Sequence, residues 1–319
     1  MRRTVWRWAR PIGSALTLGV LIWRVGTGPF LDGLRMVDGR ALAVAVGIAV
    51  LTTICCAWRW KTVAAGLGIA VSLPAAVAAY YRSQFLNVTL PGGVVGDVHR
   101  GVSHGRTVSD VGLGLRAVVL ERFAGQIVQL LLTIVVLLVF PSPVQSSMPV
   151  VAVAVVVLSV VVVLVARVRR ASARSLWARL RNAAARDIRD GLLARKAWAG
   201  VGLASVLVVA GHALTFLFAA QTAGTTASPG QMLPIALLAM MAMVIPSAGG
   251  WGPREGVTAW AFGAAGLGAG RGVATGVVYG IMVLVATLPG AGVLVVAWFR
   301  DTRLARRKPS PFRKGAAHA

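Results

Sequence analysis

Three carboxylates in this chain stand beside arginines within stretches that are otherwise apolar: Asp97 with Arg100, Glu121 with Arg122, and Glu255 with Arg254. Two of these pairs also follow closely spaced glycines. One stretch runs Asn87-Val-Thr-Leu-Pro91-Gly92-Gly93-Val-Val-Gly96-Asp97-Val-His99-Arg100, and the other runs Ile245-Pro246-Ser-Ala-Gly249-Gly250-Trp-Gly252-Pro253-Arg254-Glu255. Each has an apolar residue and a proline, then clustered glycines, then an acid and an arginine, so one broken element is written twice. Proline and clustered glycine cannot continue a helix, so each stretch frees backbone N–H and C=O groups. The chemistry this suits is anion recognition. A guanidinium pairs bidentately with phosphate, and a helix restarting after a break presents N–H donors and the positive end of its dipole. The candidate binding residues are therefore Asn87, Asp97, Arg100, Glu121, Arg122, Arg254 and Glu255. The candidate hinge residues are Pro91, Gly92, Gly93 and Gly96 in one break, and Pro246, Gly249, Gly250 and Gly252 in the other.

Each of these has a plainer reading. Glu121 and Arg122 equally fit buried ion pairs that tie helices together, since adjacent helical residues point about 100° apart and need separate partners. Asp97 and Arg254 adjoin interrupted backbone, where binding is favoured over bracing. Arg82 and Arg116 fit side chains that reach to a membrane surface. His212 fits hydrogen-bonded packing, and Cys55 and Cys56, adjacent in an apolar run, fit packing too. No metal-ligand spacing and no Walker-type phosphate loop occurs, so no cofactor and no metal are expected.

The elements that must position these groups follow from composition. Apolar residues make up 57% of 319 residues and charged residues only 13%, with a mean hydropathy of +0.77. Soluble domains carry about 25% charged residues, so the chain is an integral membrane protein. Uncharged runs at 41–58, 123–140, 150–166, 199–220 and 272–299 approach or exceed the roughly 20 residues that span a bilayer as a helix. Alternating patterning is absent, which excludes a β-barrel. The expected fold is an all-α polytopic membrane protein. At membrane depth a charge costs at least about 2.5–3.5 kcal/mol, and interrupted backbone is tolerated only against protein or a water-filled cavity.

The net charge of +24 does not imply nucleic acid. The basic residues gather at 2–10, 167–196 and 300–314, each flanking an apolar run and without aromatic interleaving. That is the positive-inside pattern, with attraction to anionic lipid headgroups. It places a basic N-terminus (1–11), a basic amphipathic linker (167–198) and a basic tail (300–319) on the cytoplasmic side of a single transmembrane domain, expected in a bacterial plasma membrane. An uncleaved first helix, from about residue 12 to 25, exits, and 41–58 returns with Arg59 and Lys61 at the inner edge. Trp58, Trp60, Trp198 and Trp298 fall at expected inner boundaries. Residues 62–110 then begin and end inside, and 231–270 begin and end outside. These form two re-entrant hairpins, one from each face, in an inverted repeat with six full spans; arms that cross fully give ten spans instead.

The Asn87…Pro91-Gly-Gly…Gly96-Asp97…Arg100 block, the Glu121-Arg122 pair and Pro246-Ser-Ala-Gly-Gly-Trp-Gly-Pro-Arg254-Glu255 resemble the signature blocks of the lysylphosphatidylglycerol synthase transmembrane-region family of flippase-like proteins. The resemblance covers nearly the whole chain. It implies paired re-entrant helices and movement of a modified phospholipid between leaflets. The full synthase also resembles a fusion with a soluble aminoacyl-transferase domain. The longest polar stretches here, about 30 residues, are too short for that domain, so headgroup aminoacylation is not expected. The expected activity is translocation of an anionic phospholipid or lipid-linked intermediate without ATP hydrolysis. The alternative is a membrane-embedded scaffold for a lipid- or glycan-modifying enzyme. An enzyme acting on isoprenoid phosphates is a weaker fit, because such chemistry uses several acids to hold a divalent metal.

Overall fold

The computed structural model describes residues 19–20, 22–90, 92–142, 144–145, 186–189, 191, 197–245, 247 and 251–307. Among them every regular element is a helix: α1 (Gly28–Met36), α2 (Gly39–Gly66), α3 (Leu73–Thr89), α4 (Val95–Thr107), α5 (Val111–Val139), α6 (Trp198–Thr222), α7 (Pro229–Ala242), α8 (Pro253–Ala264), α9 (Ala269–Thr287) and α10 (Pro289–Arg307). The expected spans near 12–25 and 150–166, and the basic linker, lie wholly or mostly outside the described residues.

Local chemistry sets the boundaries. Asp38 accepts from the Ala41 N–H at 2.7 Å and Asp110 from the Leu113 N–H at 2.8 Å, starting α2 and α5. Ser228 and Gln231 form a reciprocal cap on α7. Prolines occupy the first turns of α3, α7 and α8. Among the described residues, four stretches are long and apolar enough to cross a membrane: Gly39–Gly66, Val111–Val139, Trp198–Thr222 and Ala269–Arg300.

The structure moves two sequence-derived boundaries. Nothing stops α2 at residue 58; it runs 28 residues to Gly66, about 42 Å. Arg59, expected at the inner edge, therefore lies within the protein with 4% exposure, and Trp60 is likewise buried. The arms of the first interrupted element start at Leu73 rather than near residue 62. The apolar run 272–299, in which Pro289-Gly290 is expected from the sequence to make a bend, is divided there: α9 ends before Leu288 and α10 starts at Pro289. α10 then packs on α3, and Gly290 permits this because a Cβ there would overlap the Tyr81 carbonyl.

The interrupted elements form matching pairs: α3 and α4 joined through residues 90–94, and α7 and α8 joined through 243–252. Packing is matched as well. α2 contacts α3, α5, α6 and α9, while α6 contacts α7, α9, α2 and α5. α3–α4, α4–α5 and α3–α9 contacts correspond to α7–α8, α8–α9 and α7–α5. Exchanging α2–α5 with α6–α9 thus carries this set of pairings onto itself. Small residues let the helices approach: Ala57, Ala64 and Ala117 are fully buried on one side, and Ala219, Ala236 and Ala261 on the other. Each half has its own aromatic centre, Trp60 with Tyr80 and Phe216 with Tyr279.

Candidate functional site

One face of α3 carries Tyr80, Ser83 and Asn87 at positions i, i+3 and i+7, so all three point the same way. The start of α4 lies against that face. Gly96 makes the approach possible, since a Cβ would overlap the Ser83 backbone. Asn87 then joins the two arms across the break. Its Oδ1 accepts from the Gly96 N–H at 2.8 Å and its Nδ2 donates to Asp97 Oδ2 at 2.9 Å. Asp97 also accepts from Ser83 Oγ at 2.9 Å, from Arg100 Nη2 at 3.1 Å, and from Arg122 Nη2 at 2.9 Å (Oδ1) and 2.7 Å (Oδ2).

Behind Asp97 lies Glu121, which is fully buried. Its Oε1 accepts from Arg59 Nε at 2.8 Å, from Arg59 Nη2 and from the Tyr80 hydroxyl at 2.9 Å; its Oε2 accepts from Arg100 Nη2 at 3.1 Å. Glu121 and Arg122 do find separate partners, Glu121 on the α2 side and Arg122 on Asp97. Arg59 completes its own bonding through Nη1 to Ser205 Oγ at 3.0 Å. The Arg100 guanidinium lies 4.1 Å from the Tyr80 ring centroid and 4.7 Å from that of Trp60. Three arginines and two carboxylates thus share one cluster, with one formal positive charge in excess. Sequence reasoning had missed Arg59, Tyr80 and Ser83. For Arg59 the available signal was the spacing Thr52–Cys56–Arg59, one polar face of a helix that continues.

The second break is built differently. Gly252 has φ of 100°, a left-handed conformation suited to glycine, and its N–H donates to Glu255 Oε2 at 2.7 Å. Glu255 Oε1 accepts from Arg254 Nε at 3.0 Å and from Arg254 Nη2. That guanidinium is 2% exposed and sits 5.0 Å from the Trp251 ring centroid and 5.4 Å from that of Tyr279. The Tyr279 hydroxyl in turn meets His212 Nδ1 at 3.2 Å.

The two breaks touch. Gly92, with φ of 108°, donates its N–H to the Ser247 carbonyl at 3.1 Å. Pro91, Pro246, Gly249 and Gly250 lie outside the described residues.

Beside this contact opens a cavity of about 580 Å³, walled mainly by α2, α3, α5, α6 and α9. Gly92, Gly93 and Ser247 line it, as do Asn87, Asp97 and Arg122, so three of the seven expected binding residues meet on its wall. Arg59 reaches it too. Arg100 and Glu121 stand behind the wall as supports, and Arg254 and Glu255 are paired with each other rather than lining it. The Arg122 side chain is 39% exposed, while Arg100 is buried. Arg122 therefore presents part of its side chain to a half-open cavity otherwise lined largely by apolar side chains such as Phe123, Met240 and Val283. Arg116, near the start of α5, pairs with Asp187 at 3.2 Å and its side chain remains 43% exposed.

The family model described as the lysylphosphatidylglycerol synthase TM region matches residues 8–290. No curated protein and no solved structure matches the chain.

Proposed function

The chain belongs to the lysylphosphatidylglycerol synthase TM-region family, and from that premise we propose that it moves an anionic phospholipid or lipid-linked intermediate between leaflets. The observation that carries this reading is the partly exposed Arg122 side chain, which lines, together with residues of both helix breaks, a cavity with largely apolar walls. A guanidinium at membrane depth is a costly feature. Here Asp97 holds one of its edges and leaves the other for a phosphate, while the apolar wall accommodates lipid tails.

The roles divide accordingly. Arg122 contacts the headgroup. Asn87 and Asp97 fix its orientation and the start of α4. Arg100 and Glu121, with Arg59 and Tyr80, hold Asp97 and α5 in place. Gly92, Gly93 and Gly96, with Pro91, form one hinge; Gly252, with Pro246, Gly249 and Gly250, forms the other. Arg254 and Glu255 close the second hinge against Tyr279. The matched packing of α2–α5 and α6–α9 supports an inverted repeat, and the basic flanks support cytoplasmic termini in a plasma membrane.

The test is a leaflet-resolved transfer assay in liposomes containing only this protein and a tail-labelled anionic phospholipid. The wild type should accelerate exchange. Arg122→Gln should lose about tenfold or more, because the charge-assisted contact goes, and it should still fold, because Asp97 keeps Ser83, Asn87 and Arg100. No acceleration by the wild type, together with co-purification of a lipid- or glycan-modifying enzyme, would favour the scaffold instead.

A further inference from the structure

We infer that the groove between α3 and α4, on the side of the first hairpin turned away from the cavity, holds the phosphate of an anionic phospholipid through Arg82, His99 and Arg106. This site is independent of the transport reading and takes the lipid as a resident ligand rather than as cargo.

The placement follows from the register of the hairpin. Arg100 meets Tyr80 and Asp97 meets Ser83, so the two arms run antiparallel and His99 stands level with Arg82. On α3 the cavity takes Tyr80, Gln84 and Asn87. Arg82 lies about 160° round the helix from Tyr80 and Gln84 and lines no part of it. On α4, Gly96, His99, Ser103 and Arg106 fall at i, i+3, i+7 and i+10, a single stripe whose first member packs on Ser83. The stripe therefore borders α3 beside Arg82. The charges of Arg82 and Arg106 both act on His99, which puts the three groups in one neighbourhood. Helical side chains lean toward the N-terminus of their own helix, so on antiparallel arms Arg82 and Arg106 lean toward each other. His99 and Arg106 are about 10 Å apart along α4, a span that two long arginine side chains close around one phosphate.

No acid of the protein answers these charges. Among the described residues none of the three side chains has a hydrogen-bond or ion-pair partner, and the Arg82 Nε is shut off from solvent without one. Asp97 is turned inward onto Ser83, Asn87, Arg100 and Arg122, and Asp110, four residues past Arg106, caps α5. Like charges on facing arms repel, and an anion bridging Arg82 to His99 and Arg106 turns that repulsion into a tie, with guanidinium forks suited to phosphate oxygens. His99 and Arg106 are exposed, so the groove opens outward. Its border favours a lipid over a free ion. Val95, exposed, and Val102 flank His99 at i−4 and i+3, and Arg82 stands nine residues past Leu73, about 14 Å along a helix of a membrane protein. A phosphate tethered to acyl chains covers both the basic and the apolar surface, whereas a free ion covers only the basic one.

The experiment places the full chain in phosphatidylcholine nanodiscs containing phosphatidylglycerol with a diazirine in its headgroup, and maps the photoadducts by peptide mass spectrometry. Adducts are expected on residues 78–82 and 99–106. Arg82→Gln with Arg106→Gln should reduce them about tenfold or more, because two charge-assisted contacts go, and should leave adducts on the basic residues 300–307 unchanged. Arg122→Gln should leave the groove adducts in place, which separates this site from the cavity, so the result stands whether or not the protein transports lipid. Equal labelling of the groove in the Arg82→Gln/Arg106→Gln variant overturns the inference. Displacement by inorganic phosphate as readily as by unlabelled phosphatidylglycerol also overturns it, since the groove then takes an adventitious ion only. Thermal midpoints give the second check. In phosphatidylcholine alone the double variant should melt no lower than the wild type, because like charges have been removed, and adding phosphatidylglycerol should raise the midpoint of the wild type more. A double variant that melts lower in both lipids makes these groups braces of the fold and overturns the site.

Discussion

At both interruptions a carboxylate occupies the third position of the helix that restarts, Asp97 in α4 and Glu255 in α8, yet the two acids serve different ends. Glu255 turns back on its own helix start, taking the Gly252 N–H and the neighbouring Arg254. It is a local closure, complete within four residues. Asp97 takes Ser83 and Asn87 from α3, Arg100 from its own helix and Arg122 from α5. The cap on the α4 start comes instead from Asn87, across the break. An acid at one helical position can therefore be a cap or a junction, and the neighbouring helices decide which. Only the junction faces the cavity.

Removing an acid from each region tests that contrast most severely. Glu121→Gln leaves Arg59 and Arg100 buried without a carboxylate between them, and should cost about 3–5 kcal/mol, seen as loss of monodisperse protein and a fall in thermal midpoint. At the second break, Arg254→Met with Glu255→Gln removes both charges and leaves an amide oxygen for Gly252, so it should cost about 1 kcal/mol or less. If the double variant is as damaged as Glu121→Gln, the second site is no self-contained closure.

A glycine in each region gives a smaller effect. Gly96→Ala drives a Cβ into the Ser83 backbone, which only separation of α3 and α4 relieves; about 1–3 kcal/mol is expected, with loss of lipid transfer. At Gly280 the added Cβ meets the end of Arg254 and the rim of Trp251. Those are side chains, so Gly280→Ala should cost less and retain most transfer. The two thermal midpoints check the order, and a greater loss at Gly280 would reverse it.

The gentlest probe asks whether the halves are inverted. In a Cys55→Ala/Cys56→Ala background, single cysteines at Thr107 and Thr226, both exposed, should react with impermeant thiol reagents from opposite sides, Thr107→Cys from the cytoplasm. Labelling from one side would leave matched packing without inversion.

Much of this was legible in the sequence for physical reasons. Glycine and proline clusters announce broken helices regardless of context, and so both interruptions could be placed. Charges in apolar runs announce buried partners, so Asp97, Arg100, Glu121 and Arg122 could be singled out. What one strand of sequence does not carry is which partner each finds. Arg59 looked like a boundary residue because it follows an apolar run and precedes Lys61. Its burial depends on α2 continuing and on Glu121 arriving from 62 residues away. Arg254 looked free to bind because Glu255 sits well at a helix start unaided; the aromatic faces of Trp251 and Tyr279 hold it on Glu255 instead. The contact between breaks uses backbone atoms, which no side-chain pattern reports.

That contact makes a clock. The Gly92 amide gives its proton to the Ser247 carbonyl, so deuterium from solvent replaces that proton only when this bond opens. The exchange rate at this one amide therefore times how often the two breaks part, without any label or cargo. A change in that rate when lipid is added is the expected sign that lipid binding alters the separation of the two breaks.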